Sequence, residues 1–132
     1  MATVLLAVDH DEDRAVAQAD SLLGLDLEPA ATHVRIVHVF TDNPEGASVT
    51  QIGAVRRAKE RLEGTDFEVS VEGQSGEPAD EILAAAEVHD ADVISIAGRK
   101  RTPAGKALFG SVAQNVFLNT ERPVLLCSAN DR

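Results

Sequence analysis

The sequence feature with the clearest chemical meaning is a group of cations followed by a glycine and a serine. Four of the chain's 12 lysines and arginines lie within eight residues: Arg99, Lys100, Arg101 and Lys106. Gly110-Ser111 then opens an apolar-periodic segment. A helix beginning there would direct backbone N–H groups and the positive end of its dipole at an anion. The segment therefore predicts a phosphate site. A solvated basic loop, followed by a helix whose glycine permits close packing, is the alternative that the spacing leaves open.

Other reactive side chains do not form a recognisable catalytic or metal-binding pattern. The chain contains neither the G-x-x-x-x-G-K-[ST] nor the G-x-G-x-x-G nucleotide motif. Ser111 lacks the G-x-S-x-G elbow of a serine nucleophile, and the four histidines have no spacing or cysteine partners that predict a zinc site. His38 is expected to be packed or hydrogen-bonded, and Cys127 to be an inert thiol in an apolar strand. No catalytic residue and no metal ligand are predicted.

The composition is that of one globular domain, residues 1–132, with an acidic surface. A hydrophobic fraction of 44% with only 3% aromatic residues favours a core of Val, Leu, Ile and Ala, as in a parallel sheet covered by helices. The net charge of −10 argues against affinity for nucleic acid. Nine arginines and three lysines against 22 acids resemble the halophilic-type acidic surface of proteins from a high-salt cytoplasm. A merely acidic protein would have the same composition.

The sequence also predicts where the protein works. No segment has the length of a membrane span, and no basic-then-apolar secretory leader is recognisable. The single cysteine cannot form an internal disulfide, which suits a reducing compartment. We therefore predict a cytoplasmic protein that neither enters a membrane nor binds nucleic acid.

The elements that must position the basic segment follow from alternating apolar runs and helical periods. Strands are predicted at 3–9, 33–40, 66–73, 91–97 and 122–129, and helices at 13–25, 47–62, 77–90 and 106–120. The inner face of the first helix is predicted to carry Val16, Ala19, Leu22 and Leu23. This alternation predicts an α/β fold, a three-layer sandwich around a mostly parallel sheet. Ligands of such sheets bind at the carboxyl ends of the strands, here around Asp9, Phe40 and Gly98.

Four segments together resemble the universal stress protein (UspA) family over essentially the full length of the chain. They are "VLLAVDHDE" (4–12), "VRIVHVF" (34–40), "GEPADEILAAAEVHDADVISIAG" (76–98) and "FGSVAQNVFLNTERPVLLC" (109–127). The resemblance implies a Rossmann-like fold of the adenine nucleotide alpha hydrolase type, with five parallel strands in the order 3-2-1-4-5. It also implies a homodimer paired through the fifth strand, Pro123 to Ser128. Other protein partners are not identified by the sequence.

One branch of the UspA family binds ATP, and this chain matches the motif of that branch, G-x2-G-x9-G-[ST], only in part. Aligning residues 92–111 without gaps puts Ala97 and Lys100 at the first two glycines, and Gly110-Ser111 at the last pair. Glycine serves where the backbone must approach a ligand closely. Either the lysine side chain replaces part of the backbone cradle, since lysine is a competent phosphate partner, or the site is closed.

The resemblance implies roles for the residues around this motif. Asp9 matches the acid that contacts the nucleoside, and Val39 matches the residue whose backbone meets adenine. His10 and Asp11 replace the usual Gly-Ser or Phe-Ser after the acid. The predicted nucleotide-binding set is Val8, Asp9, Val39, Ala97, Gly98, Arg99, Lys100, Gly110, Ser111 and Val112. The last three hold the phosphates in this interpretation, and the two cations neutralise them.

Three hypotheses about function follow, in order of preference. The first is a universal stress-type regulatory protein that binds ATP, AMP or another adenine nucleotide, with magnesium. The second is a nucleotide-free dimeric interaction module without a cofactor, which the missing glycines motivate. The third, a slow ATPase or an autophosphorylating protein, ranks last because no general base is visible beside a candidate nucleophile.

Overall fold

Five parallel strands form one sheet in the order β3-β2-β1-β4-β5, as predicted. The computed structural model describes residues 1–41, 46, 48–98 and 110–128. The strands are β1 (Ala2–Ala7), β2 (Thr32–Phe40), β3 (Glu68–Ser75), β4 (Val93–Gly98) and β5 (Val124–Ser128). The helices are α1 (Glu12–Gly24), α2 (Gly53–Leu62), α3 (Pro78–Val88) and α4 (Ser111–Leu118), with short 3-10 turns at Pro29–Ala31 and Val49–Gln51. The α/β fold class is confirmed.

The sheet is covered on both faces, which makes the predicted three layers. Successive side chains of a strand point to opposite faces, so neighbouring residues of β1 enter different cores. Leu6 packs with buried residues of α1 and α2, whereas Leu5 packs with buried residues of α3 and α4. Both leucines are fully buried, as expected for the central strand of a parallel sheet.

The inner face of α1 differs from the prediction. The structure buries Ala15, Gln18, Ala19 and Leu22, leaves Val16 only half-buried and exposes Leu23. The face is rotated because Gln18, a polar residue, occupies a core position. Its Nε2 donates to the carbonyl oxygen of Ala7 at 2.9 Å and lies 3.3 Å from both the carbonyl and hydroxyl oxygens of Ser95. These hydrogen bonds offset part of the cost of burying the amide, whose Oε1 has no partner among the described residues, and they join α1 to β1 and β4.

Most element boundaries in the described region differ from the prediction by one or two residues, and the beginning of α2 differs by six. Helix α2 begins at Gly53 rather than near residue 47, because a 3-10 turn with a Ser48–Gln51 capping box precedes it. Strand β3 lies two residues later than predicted and forms one edge of the sheet. The predicted last helix began at residue 106, and residues 106–109 lie outside the described part of the chain. From Ser111 onward, its helical assignment is confirmed.

Because the three central strands are parallel, their carboxyl ends lie side by side. Ala7 of β1 pairs with Val37 of β2 on one side and with Ile96 of β4 on the other. The loops after β1 and β4 therefore diverge at the point where the strand order reverses, which is where open α/β sheets bind ligands. Across residues 1–41, 46, 48–98 and 110–128, no helix is both long and apolar enough to cross a membrane.

Candidate functional site

A cavity lies at the carboxyl ends of β1, β2 and β4, at this reversal of strand order. We call it the switch-point cavity. It has a volume of about 180 Å³, and apolar side chains form most of its wall. The lining residues are Ala7, Val8, Asp9, His10, Val37, His38, Val39, Thr41, Pro78, Ile82, Ile96, Ala97, Val112 and Ala113. Sites for complete drug-sized ligands usually measure about 300–1,000 Å³, so these walls suit a planar base rather than a whole nucleotide.

Five of the ten residues in the predicted nucleotide-binding set meet in this cavity: Val8, Asp9, Val39, Ala97 and Val112. Three others adjoin it along the chain. Gly98 ends β4 directly after Ala97, Gly110 is the N-cap of α4, and Ser111 is the first residue of that helix. Arg99 and Lys100, with the nearby Arg101 and Lys106, lie outside the described residues. The residues predicted to contact the base and the ribose therefore lie next to the beginning of the predicted phosphate site.

The turn between β1 and α1 fixes the carboxylate of Asp9. Its Oδ1 accepts a hydrogen bond from the backbone N–H of Asp11 at 2.9 Å, and its Oδ2 lies 3.1 Å from Arg14 Nη1. Asp11 in turn caps α1, because its Oδ1 accepts from the backbone N–H of Arg14 at 3.0 Å. The sequence predicts a role for Asp9 but none for Arg14, whose position depends on the fold of this turn.

His38 forms an uncharged part of the cavity wall. Its Nδ1 lies 2.8 Å from the carbonyl oxygen of Val8, and a carbonyl can only accept, so Nδ1 carries the proton. Its Nε2 is then an acceptor, and it is buried without a hydrogen-bond partner in the described region. The rings of His10 and Phe40 contact the His38 ring edge-on, with centroids at 4.8 and 4.9 Å. The expectation that His38 is packed and hydrogen-bonded is confirmed.

The environment of His38 also sets its protonation state. Burial lowers the pKa of His38 below its ordinary value of 6.5, and the neighbouring His10 lowers it further. The hydrogen bond to Val8 and the charge of Asp9 oppose this shift without reversing it. The imidazole is therefore neutral at pH 7. A neutral wall is compatible with an uncharged heterocyclic base.

The beginning of α4 has the features of an anion site. The first backbone hydrogen bond of the helix runs from the N–H of Gln114 to the carbonyl of Gly110, so the N–H groups of Ser111, Val112 and Ala113 are not used by it. Gly110 has no side chain with which to cap them, and no described side chain caps this helix. The positive end of the helix dipole also lies here. Val112 and Ala113 line the cavity, so these donors adjoin it.

Several lining residues were not predicted from the sequence. Thr41 follows β2, Pro78 begins α3 and Ala113 lies in the first turn of α4. The position of Thr41 directly after a central strand is a signal that could have identified it. Pro78 and Ala113 carry no such signal, because their contribution depends on how α3 and α4 pack across the sheet.

A second apolar surface lies beside the outer edge of β5. Ala113, Gln114 and Phe117 of α4 form one wall of a groove, and Val124 and Leu126 of β5 form the other. Phe117 is 65% exposed and Leu126 is 41% exposed, which is unusual for large apolar side chains. We call this surface the α4–β5 groove. It coincides with the strand predicted to mediate a homodimer.

The single cysteine of the chain lies in the protein core. Cys127 is a buried free thiol whose Sγ lies 3.8 Å from Ser95 Oγ, in agreement with the expected core location. Within the described ranges, no group of three or more His, Cys, Asp or Glu side chains is arranged to hold a metal ion.

Comparison with known proteins gives consistent matches. Residues 1–128 match the sequence model of the universal stress protein family. A universal stress protein of Mycolicibacterium smegmatis is 28% identical over 120 residues, which cover 90% of this chain and 84% of that protein. A universal stress protein structure from Archaeoglobus fulgidus matches with a TM-score of 0.66 and 29% identity, covering 96% of this chain and 98% of that one.

Two further solved structures of similar fold are complexes with nucleotides. A universal stress protein from Archaeoglobus fulgidus in complex with dAMP has a TM-score of 0.61 and 24% identity, with 96% of this chain and 98% of that one covered. A universal stress protein in complex with cAMP has a TM-score of 0.73 and 20% identity, with 98% of each chain covered. At these identities the two matches establish a shared fold.

Proposed function

The chain belongs to the universal stress protein family, and we propose that it binds an adenine nucleotide in the switch-point cavity as part of a regulatory role in a stress response. The proposal rests on the order of three chemical environments along the cavity. An apolar slot, a fixed carboxylate and a helix N-terminus that no described side chain caps adjoin one another. They match the base, the ribose and the phosphate of one ligand. The dAMP and cAMP complexes of structural neighbours support an adenine nucleotide as the ligand. Neither ligand has a free 2′,3′-diol, so this support concerns the base and the phosphate and not the ribose hydroxyls.

The base and the ribose fit the inner part of the cavity. Val39, Ile96 and Val112 line the slot and offer apolar contact to a planar ring. Asp9 lies two residues after β1, and its carboxylate can accept hydrogen bonds from ribose hydroxyls, as an acid does in dinucleotide-binding α/β folds. We therefore assign the nucleoside to the walls formed by β1, β2 and β4.

The phosphate fits the beginning of α4. The N–H groups of Ser111, Val112 and Ala113 can meet one phosphate group, and the Ser111 hydroxyl, which is exposed, adds a donor. We assign the neutralising charge to Arg99 and Lys100, which lie outside the described residues. If the ligand is ATP, magnesium accompanies its phosphates, since Mg²⁺ is usually held by substrate phosphates with one or two carboxylates.

The experiment that tests this function is a calorimetric titration of the folded protein with AMP, ADP, ATP and Mg-ATP in molar KCl. The matched variants are Val112→Phe, which fills the cavity, and Asn115→Phe, which adds the same ring to an exposed position of α4. We expect binding by the wild type and by Asn115→Phe. Val112→Phe should weaken it at least about tenfold, which corresponds to about 1.4 kcal/mol. Absence of binding to the folded wild type would contradict the proposal.

A second candidate function is a nucleotide-free dimeric interaction module. The observation in its favour is that Ala97 and Lys100 occupy positions of glycine in the ATP-binding branch. The dimer itself is common to both candidates. We propose that two copies pair through the free edge of β5 and bury the α4–β5 groove. Pairing would protect an unpaired strand edge and cover exposed Phe117 and Leu126.

We place this activity in the cytoplasm. The single cysteine is a buried free thiol, and a reducing compartment keeps such a residue unmodified.

A further inference from the structure

The guanidinium of Arg14 lies against the carboxylate that faces the proposed ribose. Arg14 is the third residue of α1, and its side chain reaches Asp9, which lines the cavity. Its Nη1 lies 3.1 Å from Asp9 Oδ2, and its Nε lies 3.9 Å from Asp11 Oδ2. The side chains of Arg14 and Asp9 are 35% and 46% exposed, so the pair lies at the surface, where ion pairs add little to stability. What the ion pair does affect is the orientation of the Asp9 carboxylate.

Counting acceptor sites shows that the pair leaves room for a ligand. An ionised carboxylate offers about four lone-pair sites on two oxygens. In Asp9, one site of Oδ1 receives the backbone N–H of Asp11 and one site of Oδ2 receives Arg14. One site on each oxygen remains. Two neighbouring acceptors on one rigid carboxylate match the two hydroxyls of a vicinal diol.

Without Arg14 the carboxylate would lose its only described side-chain partner. Asp9 is followed by Asp11, Glu12 and Asp13, so four acids lie within five residues of the chain. Repulsion among like charges would favour rotation of Asp9 toward solvent, away from the cavity. The backbone N–H of Asp11 alone holds one oxygen and leaves the plane of the carboxylate free to turn.

We propose that Arg14 is a positioning residue that makes the site selective for nucleotides with an intact ribose diol. It holds Asp9 through Oδ2, so that the free sites of both oxygens accept hydrogen bonds from the 2′- and 3′-hydroxyls. The ligand class is an adenosine ribonucleotide rather than a dideoxynucleotide. This inference rests on the proposed function, because it needs a nucleoside beside Asp9.

The test compares AMP, 2′-deoxy-AMP and 2′,3′-dideoxy-AMP by calorimetry, for the wild type, Arg14→Gln and Arg57→Gln. Arg57 is the matched control, because it forms an ion pair of the same length, 3.1 Å, with Glu12 but does not line the cavity. We expect the wild type and Arg57→Gln to bind AMP at least about tenfold more tightly than dideoxy-AMP, because dideoxy-AMP lacks both hydrogen bonds to the charged acceptor, each of which is worth about tenfold or more. In Arg14→Gln this ratio should fall to about two or less. Its affinity for dideoxy-AMP should stay within about twofold of the wild type.

Each other outcome overturns the inference in a recognisable way. Equal weakening of all three ligands by Arg14→Gln would mean that Arg14 only supports the fold of the turn. Tighter AMP binding by the variant would mean that Arg14 competes with the ribose. A wild type that binds AMP and dideoxy-AMP equally would leave the proposed function intact and refute the selectivity. A wild type that binds none of them would refute both. Arg14→Lys, which keeps a cation, should restore part of the ratio and guards against a folding defect in Arg14→Gln.

Discussion

Protonation of His38 should destabilise the protein as the pH falls below neutrality. His38 is 1% exposed, and its Nδ1–H is bonded to the Val8 carbonyl beneath the cavity. Adding a proton to Nε2 would place a positive charge in a buried position whose ring neighbours are His10 and Phe40. The burial that lowers the pKa of His38 is therefore also a cost that the folded state incurs in acid.

The sign and the size of the effect follow from proton linkage. In the unfolded chain His38 titrates near the ordinary value of 6.5, and in the folded protein its pKa is lower. Below pH 6.5 the unfolded state consequently binds more protons, and the free energy of unfolding decreases as the pH falls toward the pKa of the folded state. One group contributes a slope of at most about 1.4 kcal/mol per pH unit in this window. Well above pH 7 His38 is neutral in both states, so it adds no further pH dependence to the free energy of unfolding.

The assay is urea unfolding of the wild type and of His38→Gln at pH 7.5, 6.5 and 5.5, with the KCl concentration held constant. Glutamine retains an N–H donor for the Val8 carbonyl but does not titrate in this range. Subtracting the two curves removes the contributions of the other three histidines. We expect the wild type to lose more stability than His38→Gln between pH 6.5 and 5.5. Parallel curves would refute the reasoning, because His38 would then titrate alike in both states.

Two further outcomes are expected. Leu126→Glu should convert a dimer into a monomer, as measured by light scattering at micromolar concentration, because it places a charge in the α4–β5 groove; Leu23→Glu, at a leucine that is 43% exposed on α1, should leave the mass unchanged. A Leu126→Glu protein that remains dimeric would contradict pairing through β5. Raising KCl from about 0.1 M to about 2 M should raise the Tm, because screening weakens repulsion within a chain of net charge −10. A Tm that stays constant would count against a halophilic-type surface.

Much of the fold could be predicted because the strands β1 and β4 are nearly continuous apolar runs. Each contains a single polar residue, Thr3 in β1 and Ser95 in β4, as central strands of a parallel sheet require, and the alternation of strands with helices leaves few topologies. The face of α1 could not be predicted in the same way. Gln18 is buried only because the carbonyls of Ala7 and Ser95 lie within its reach, and this depends on the packing of three elements.

Site residues near the ends of strands could be predicted from the sequence, whereas those contributed by a turn or by helix packing could not. Asp9 was predicted from its position after a strand and from the resemblance to the family, Val39 was predicted from the resemblance alone, and both line the cavity. Arg14 could not be identified, because its role depends on a turn that folds a helix residue back over the preceding strand end. Pro78 and Ala113 contribute through the placement of α3 and α4. Such contributions depend on tertiary packing, which the periodicity and spacing of residues in the sequence do not specify.

The replacement of glycine by alanine at the first motif position can now be interpreted physically. A closed site would require the alanine to remove the space that glycine leaves in the ATP-binding branch. Ala97 instead lines a cavity of about 180 Å³ that still connects Asp9 with the beginning of α4. The substitution therefore changes the shape of the cavity without eliminating it. At the second motif position, we propose that the side chain of Lys100, which lies outside the described residues, contacts a phosphate that a glycine backbone meets in the ATP-binding branch. Nucleotide binding with a partly side-chain-based phosphate contact accounts for both the retained cavity and the altered motif.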